Sequence, residues 1–296
     1  MNFIRNRKLF ENYIGWGFIL PAILFISIFI LFPAIKSIYL PFFEWDGIGE
    51  LNFVGLKNFI KMFTRDRYFY TALRNTFIFS TVATTGTIIV GFILAVIIDL
   101  RVRFWKIYRV VFFLPYTLSI VAVSMLWLKV FEPNGLLNNI LRSLNLGRFA
   151  IPWFVNPNIG LGIMLFVSIW QYSSFPMIFF LAGMQGINEE IYESAKIDGT
   201  STVGRIVSIT MPLLKNVFSI LIVMQLIFSF RVFDIVWIMT GGGPSGKTEV
   251  LGTLIYRYSF KFLEFGYASV LSMIALTIAI ILAFVYRKIS GYGRLH

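Results

Sequence analysis

Residues 75–98 of the chain read NTFIFSTVATTGTIIVGFILAVII and contain no Asp, Glu, Lys or Arg. A helix needs about 20 apolar residues to cross the hydrocarbon core of a bilayer, so this stretch is long enough to span a membrane. Further charge-free stretches lie at 12–35, 110–128, 149–188, 216–230 and 265–286. The sequence therefore predicts an all-α membrane protein with six transmembrane helices, since lipid offers no partner to unpaired backbone groups.

The helices are predicted near 14–40, 73–98, 107–130, 160–184, 213–240 and 267–287, within a single transmembrane domain over residues 1–296. The fifth stretch is too short by itself, and it reaches span length only when Arg231 and Asp234 are included, to about Thr240. In the fourth stretch, Pro152 and Pro157 predict a loop before the helix begins.

The composition excludes several classes of protein. Of 296 residues, 58% are hydrophobic and 14% are charged, whereas a soluble domain carries about a quarter charged residues. The chain has no Cys, and its single His is His296, so disulfides, thiolate metal sites and Ser-His catalysis are excluded. The net charge of +12 comes without an aromatic-basic nucleic-acid module, which favours membrane lipid over nucleic acid as a partner.

Basic residues predict the orientation. They cluster before the first span at 5–8, between the second and third spans at 101–109, and after the last at 287–294. Short basic segments remain in the cytoplasm, so both termini are predicted inside the cell in the cytoplasmic (inner) membrane. The first apolar stretch is too long for a cleaved signal peptide, and no small-residue cleavage site follows it.

The segment between the fourth and fifth spans, residues 188–212, is too long for a passive turn and reads as two short helices. Asn188 can cap the first helix, and Gly199 can supply the left-handed residue that ends it. Thr200 or Ser201 can cap the second helix, and Pro212 closes the segment. Spacing places Val203, Ile206, Val207 and Thr210 on one face of this second helix, which is also the pattern of a helix lying on lipid.

Residues 193–212 read Glu-Ser-Ala-Lys-Ile-Asp-Gly, nine further residues, then Ile-Thr-Met-Pro. This pattern resembles the EAA loop of permease subunits of binding-protein-dependent ABC importers. Ser194 and Met211 depart mildly from the family pattern. The resemblance implies that the residues matching the pattern, together with the Asp between them, couple the loop to the ATPase. These residues are Glu193, Ala195, Asp198, Gly199, Ile209 and Pro212.

The resemblance extends over most of the chain and is to the carbohydrate-uptake type, similar to the maltose, lactose and glycerol-3-phosphate permeases. The segments that carry it are 52–59, 181–185, 240–244 and 266–268. It implies an ABC importer permease fold working by alternating access. It also implies a second homologous permease subunit, two cytoplasmic ATP-binding subunits and an extracytoplasmic solute-binding protein. ATP and Mg would then bind the partner subunits, with no cofactor in this chain.

Residues 241–248 satisfy the Gly-x4-Gly-Lys-Thr phosphate-loop pattern. A phosphate loop joins a strand to a helix, whereas these residues follow a predicted membrane span. Asp99, which resembles the acidic residue of such sites, is predicted on the opposite side of the membrane from Lys247. We therefore interpret the match as coincidental.

Charged and amide groups within the spans are candidates for a solute path. Arg231 and Asp234, at positions i and i+3, are predicted either to form a structural ion pair or to face the solute. Further path candidates are Gln171, Tyr172, Gln225, Phe230 and Phe233, where the aromatic rings would form a wall for sugar C–H faces. The alternative for the amides is an interhelical hydrogen bond.

Two other classes compete with this prediction. An ion-coupled carrier without an ATPase favours inverted repeats and broken helices, and the sequence indicates neither. A membrane-embedded enzyme would need catalytic groups, but no closely spaced carboxylate pair lies within a span.

Overall fold

The computed structural model describes residues 16–290, so the basic residues at 5–8, Arg294 and His296 lie outside it. Its apolar helices of spanning length are Trp16–Phe42, Phe69–Asp99, Ile120–Ser143, Pro157–Gln185, Lys215–Met239 and Phe265–Tyr286. This confirms the all-α membrane class. The third of these segments differs from the predicted 107–130, because helices occupy both sides of a break at Leu118.

The helices of the described residues are as follows, in chain order: α1 (Trp16–Phe42), α2 (Lys57–Thr64), α3 (Phe69–Asp99), α4 (Trp105–Thr117), α5 (Ile120–Phe131), α6 (Leu136–Ser143), α7 (Pro157–Tyr172), α8 (Ser174–Gln185), α9 (Glu189–Ile197), α10 (Thr202–Leu213), α11 (Lys215–Phe230), α12 (Asp234–Met239), α13 (Leu251–Phe260) and α14 (Phe265–Ser290). Strands β1 (Phe43–Glu44) and β2 (Asn52–Phe53) pair antiparallel, with Phe43 opposite Phe53. The chain packs as two compact units, which are residues 16–65 with 255–274, and residues 66–254 with 275–290.

The first unit contains α1, the β1–β2 hairpin and α2. The buried Asn58 amide donates to the carbonyls of Pro41 and Phe43 at 3.0 and 2.9 Å, which fixes α2 against the end of α1. Lys61 pairs with Glu264. Among the described residues, none in the most apolar part of α1 is fully buried, so these side chains are suited to contact lipid.

In the hairpin of this unit, Asp46 closes the turn. Its carboxylate accepts hydrogen bonds from the N–H groups of Gly49 and Ile48, at 2.7 and 2.9 Å. These bonds stabilise the charged form and lower the pKa of Asp46 below its usual value, with Gly49 the larger contributor.

In the second unit, α3 is the central helix, and it packs mainly on α8 and α11. Gly91 permits the close approach of α8, because a Cβ there would lie 2.7 Å from the Ser173 carbonyl oxygen and from Pro176. Two apolar clusters hold the helices together: one contains Phe79, Met164, Val167 and Val236, and the other Ile98, Met177, Phe180 and Leu221.

Three membrane segments of this unit are interrupted. Between α4 and α5, Leu118 and Ser119 are extended, shortly after Pro115. Ser173 separates α7 from α8, because Pro176 has no N–H to donate to the carbonyl four residues earlier. Residues 231–233 separate α11 from α12. The expectation of unbroken spans is therefore wrong at these positions.

Candidate solute cavity and coupling loop

The three interruptions meet at one cavity of about 210 Å³ inside the second unit. Six of its 16 lining residues are aromatic, and hydroxyl, amide and charged groups lie between the rings. The principal lining residues are Phe79, Tyr116, Tyr172, Phe175, Phe228 and Phe233, together with Thr87, Ser168, Gln225, Ser229, Arg231 and Asp234. Non-helical backbone and polar side chains are thus concentrated at one place within the spans.

Four of the aromatic wall residues form a continuous set of ring contacts. The Tyr116 ring lies edge-on to Tyr172 at 6.3 Å between centroids and tilted to Phe175 at 5.8 Å. Phe175 in turn contacts Phe228 edge-on at 6.3 Å. Such a wall binds a molecule through its apolar C–H faces, while the polar groups between the rings fix hydroxyl positions.

Arg231 and Asp234 both line the cavity and both are exposed to it. They do not form the i, i+3 pair that a continuous helix would allow, and no ion pair joins them. Arg231 ends α11, Phe233 leaves the helical conformation with φ −144° and ψ −62°, and Asp234 begins α12. Both charges therefore remain available to a bound molecule.

The amide candidates divide between the cavity and the packing. Gln225 lines the cavity, and its Nε2 also donates to Thr87 Oγ1 at 3.0 Å. Gln171 is 1% exposed and lies outside the cavity, where its Nε2 donates at 3.0 Å to the Leu118 carbonyl freed by the helix break. Phe230 is also buried outside the cavity, edge-on to Phe77 at 5.8 Å.

Sequence reasoning missed several of the wall residues, namely Phe79, Tyr116, Ser168, Phe175 and Phe228. A signal for two of them is present in the chain. Tyr116 follows Pro115 directly and Phe175 precedes Pro176, and a proline inside an apolar stretch marks a place where a membrane helix leaves regular geometry.

The loop between α8 and α11 has the predicted caps. The Asn188 side chain accepts from the Glu190 N–H at 3.1 Å, and the Ser201 hydroxyl accepts from the Gly204 N–H at 3.1 Å. Gly199 has φ +74°.

The end of α9 forms a Schellman motif. The Thr200 N–H donates to the Ala195 carbonyl at 3.0 Å, and the Gly199 N–H donates to the Lys196 carbonyl at 3.2 Å. Gly199 therefore supplies the left-handed residue that reverses the chain between α9 and α10.

The motif residues of this loop differ in exposure. Ala195 is buried and Ile209 is half-buried, whereas Glu193, Asp198, Gly199 and Pro212 are exposed. The predicted apolar face of α10 is divided. Thr210 is buried, and its Oγ1 lies 3.2 Å from the Tyr192 hydroxyl, whereas Val203 and Val207 are 70% and 55% exposed. Ile197 at the end of α9 adds an exposed apolar side chain to the same loop.

Residues 241–248 form a turn between α12 and α13, without the strand that precedes a phosphate loop. Several of their backbone N–H groups already have partners; for example, Lys247 and Thr248 donate to the carbonyls of Pro244 and Gly242. The glycine at 242 leaves room for a protein side chain, because a Cβ there would lie 2.4 Å from the Glu249 carboxyl group. The space inside the turn is therefore occupied by the Glu249 side chain.

The polar residues near the start of α3 hold this turn. The Asn75 amide donates to the carbonyls of Lys247 and Glu249 at 2.8 and 2.9 Å. The Thr76 hydroxyl accepts from the Leu251 N–H at 2.9 Å. Their role is thus to anchor residues 247–251.

A bundle of interrupted apolar helices with a polar cavity and a capped helical loop defines a membrane transport subunit. The family model described as binding-protein-dependent transport system inner membrane component matches residues 87–290, and the chain belongs to this family. It is thus a permease subunit of an ABC importer, a multi-pass membrane protein of a non-catalytic kind. An ion-coupled carrier would also have broken helices, so the breaks alone do not decide the class, and it is the family match that assigns the chain to ABC importers.

Relatives match over nearly their whole length. A probable ABC transporter permease protein of Pyrococcus horikoshii is 34% identical over 94% of this chain and 96% of its own. The lactose transport system permease protein LacF of Rhizobium radiobacter is 33% identical over 94% of both chains. In fold, the chain is similar to a bacterial ABC transporter that imports the acidic polysaccharide alginate, with a TM-score of 0.86, 23% identity and coverage of 98% and 99%.

Proposed function

We propose that this permease carries a sugar, an oligosaccharide or a sugar-like solute into the cell, and that the cavity at the three helix breaks forms part of its path. The cavity is the observation that carries the proposal. Aromatic faces, an amide and two charges without an ion pair match the mixture of C–H and hydroxyl groups on a sugar. The similarity to a lactose permease supports the same solute class.

The importer would contain a second homologous permease, two cytoplasmic ATP-binding subunits and an extracytoplasmic solute-binding protein. Residues 1–296 would act as one permease domain in the cytoplasmic (inner) membrane, with both termini in the cytoplasm. The basic segment 101–109 lies between α3 and α5 and supports this orientation. ATP and Mg would bind the ATPase subunits, and this chain would need no cofactor.

The loop 188–212 would couple ATP hydrolysis to the spans. Its exposed acidic groups Glu193 and Asp198 suit a basic partner surface, and the exposed apolar side chains of Ile197, Val203 and Val207 suit a hydrophobic cleft. The remaining motif residues would shape the loop: Ala195 and Ile209 pack inward, Gly199 turns the chain, and Pro212 precedes α11.

Closure of the ATPase pair would move α9 and α10 together. The buried Leu214 joins α10 to α11, and α11 leads directly to Gln225 and Arg231 at the cavity. A displacement of the loop would therefore reach the cavity through one continuous helix of 16 residues. In alternating access, this displacement opens the cavity to one side of the membrane at a time.

The test separates assembly from transport. Screening of candidate radiolabelled sugars first identifies one that the reconstituted importer takes up. We expect Phe233→Ala to lower uptake of this sugar while the yield of assembled complex stays unchanged. Phe284→Ala is the matched control, because Phe284 is a 67% exposed aromatic residue of α14 that does not line the cavity.

The charges are tested by exchange. Because Arg231 and Asp234 form no ion pair, the double variant Arg231→Asp with Asp234→Arg should assemble normally yet transport poorly, since the solute meets reversed charges. Normal uptake by the exchanged variant would remove both residues from the path.

A further inference from the structure

The helix α6 follows α5 after only residues 132–135 and carries two different surfaces. Leu136, Ile140 and Leu144 lie at i, i+4 and i+8, and they are 61%, 45% and 63% exposed. Asn139 and Arg142 are exposed on the polar side, whereas Ser143, seven residues after Leu136, lies beside the aliphatic row. A row of large aliphatic side chains left uncovered on one side of a short helix requires an apolar neighbour.

The chain itself fixes how α6 is turned. The buried Asn138 side chain donates to the Ile151 carbonyl at 3.0 Å and accepts from Trp153 Nε1 at 2.9 Å. On the polar side, Arg142 donates to Asn139 Oδ1 and to the Pro133 carbonyl, at 3.2 and 3.0 Å. The helix therefore cannot rotate to bury its aliphatic row against its own unit.

The position of α6 relative to the bilayer follows from the segment before it. The 12 residues of α5 extend about 18 Å at 1.5 Å per residue, which is less than the hydrocarbon thickness of about 30 Å. The 13 residues of α4 add about 20 Å, so α4 and α5 together are long enough to complete a crossing at Phe131 without α6. In such a crossing, α6 would begin where the chain leaves the hydrocarbon.

We propose that α6 lies in the lipid interface, with Leu136, Ile140 and Leu144 inserted among the upper acyl chains. The aliphatic row continues the lipid-facing surface of the preceding span. Just beyond it, Phe149 is 50% exposed, and the Arg148 guanidinium lies 4.7 Å from its ring centroid. An aromatic ring with a cation beside it suits the boundary between acyl chains and phosphate headgroups. The position holds for either orientation of the chain.

An interfacial α6 would set the depth of the loop that it anchors. Through Asn138, the helix holds Ile151 and Trp153, which lead into α7 and its cavity-lining residue Ser168. The rim of the cavity would then keep a fixed height relative to the lipid headgroups.

The experiment uses the complete importer in liposomes of phosphatidylcholine and phosphatidylglycerol. Single cysteines at Leu136, Ile140 and Leu144 receive a nitroxide label, as do matched controls on the polar side at Asn139 and Arg142, in a chain without native cysteine. The yield of assembled complex shows that each variant folds. Electron paramagnetic resonance power saturation then measures collisions of each label with oxygen, which concentrates in lipid, and with a water-soluble nickel chelate.

We expect the logarithm of the oxygen-to-nickel collision ratio to be positive at the aliphatic positions and negative at the two controls. A negative value at Leu136, Ile140 and Leu144 would place the row in water and overturn the proposal. Access to neither reagent would mean that a protein surface covers it. If removal of the solute-binding protein restores access, that protein is the occupant instead of lipid.

A second measurement tests the depth. A bimane label at Ile140 should be quenched more by lipids with a nitroxide near the headgroup than by lipids with a nitroxide near the chain end. The opposite order would show that α6 continues the transmembrane span, and the interfacial position would be wrong.

Discussion

Gly199→Val tests how strictly the coupling loop depends on one backbone conformation. A Cβ on Gly199 meets no atom within 4 Å, so the substitution creates no clash with the rest of the chain. Its cost is confined to the backbone, because φ is +74° and L-residues lose about 1–2 kcal/mol in the left-handed region. A β-branched residue lies toward the upper end of the roughly 1–3 kcal/mol found for strained positions. We therefore expect about a tenfold or greater loss of ATP-driven uptake in proteoliposomes, since 1.4 kcal/mol is a factor of ten.

Two further substitutions give this prediction its control. Asn enters the left-handed region readily, so Gly199→Asn should retain most of the uptake, and Gly199→Ala should fall between Asn and Val. The amount of complex in the membrane should be equal for all of them, because the loop is exposed. Uptake by Gly199→Val at the level of the unmodified protein would refute the reasoning. Equal losses for Gly199→Asn and Gly199→Val would show that the ATPase subunit needs the empty space beside the Gly199 Cα, and that the backbone conformation does not matter.

Glu193→Lys should abolish uptake while the protein still inserts, because charge reversal at a partner contact costs more than truncation, which itself costs about 2–5 kcal/mol. Membrane yield and uptake are measured together, and uptake at the normal rate would contradict a contact at Glu193. Lys247→Ala should leave ATP hydrolysis by the assembled complex largely unchanged, and loss of ATP binding would revive the phosphate-loop interpretation. A cysteine at Arg103 should resist a membrane-impermeant thiol reagent in intact cells, whereas cysteines at Asn145 and Lys247 should react. Labelling at Arg103 from outside would reverse the orientation.

The class of fold could be predicted from the sequence because its cause is local. A run of apolar residues without charge is sufficient to place a helix in lipid, whatever it packs against. The conformation of the loop 188–212 could be predicted equally well, because a helix cap needs only Asn188 or Ser201 at the start of a helix and Gly199 at its end. In these segments, neighbouring residues decide the conformation.

The cavity could not be predicted in the same way, because it arises from contacts between distant segments. The break after Tyr116 has a local signal in Pro115, but the break at Arg231 has neither Pro nor Gly beside it. An apolar stretch shows the same pattern whether its helix is continuous or interrupted. Aromatic residues make up 18% of the chain, so their identity alone does not separate a cavity wall from a lipid-facing surface.

The same reasoning explains Gln171 and Phe230. Both lie within apolar spans beside residues that do line the cavity, and both point into the packing. Gln171 is needed at Leu118 because the break frees a carbonyl oxygen there, and a buried carbonyl without a partner costs about 1–3 kcal/mol. The Gln171 amide therefore serves to pair the carbonyl that the helix break leaves open. The sequence did not predict this break.

The interrupted helices have a consequence for water. A membrane helix keeps its peptide groups bonded within itself, and non-helical backbone at membrane depth persists only where protein buries it or where water reaches it. Leu118 has the Gln171 amide, but the backbone around Arg231 and Phe233 opens onto the cavity, as do two charged side chains. Because two charged side chains at such a place need polar surroundings, we expect the cavity to be hydrated. In the proposed transport role, a solute entering the cavity would lose its hydration shell in stages, so the barrier to entry would lie well below that of crossing bare hydrocarbon. The aromatic faces would then remove water from only one side of the solute at a time.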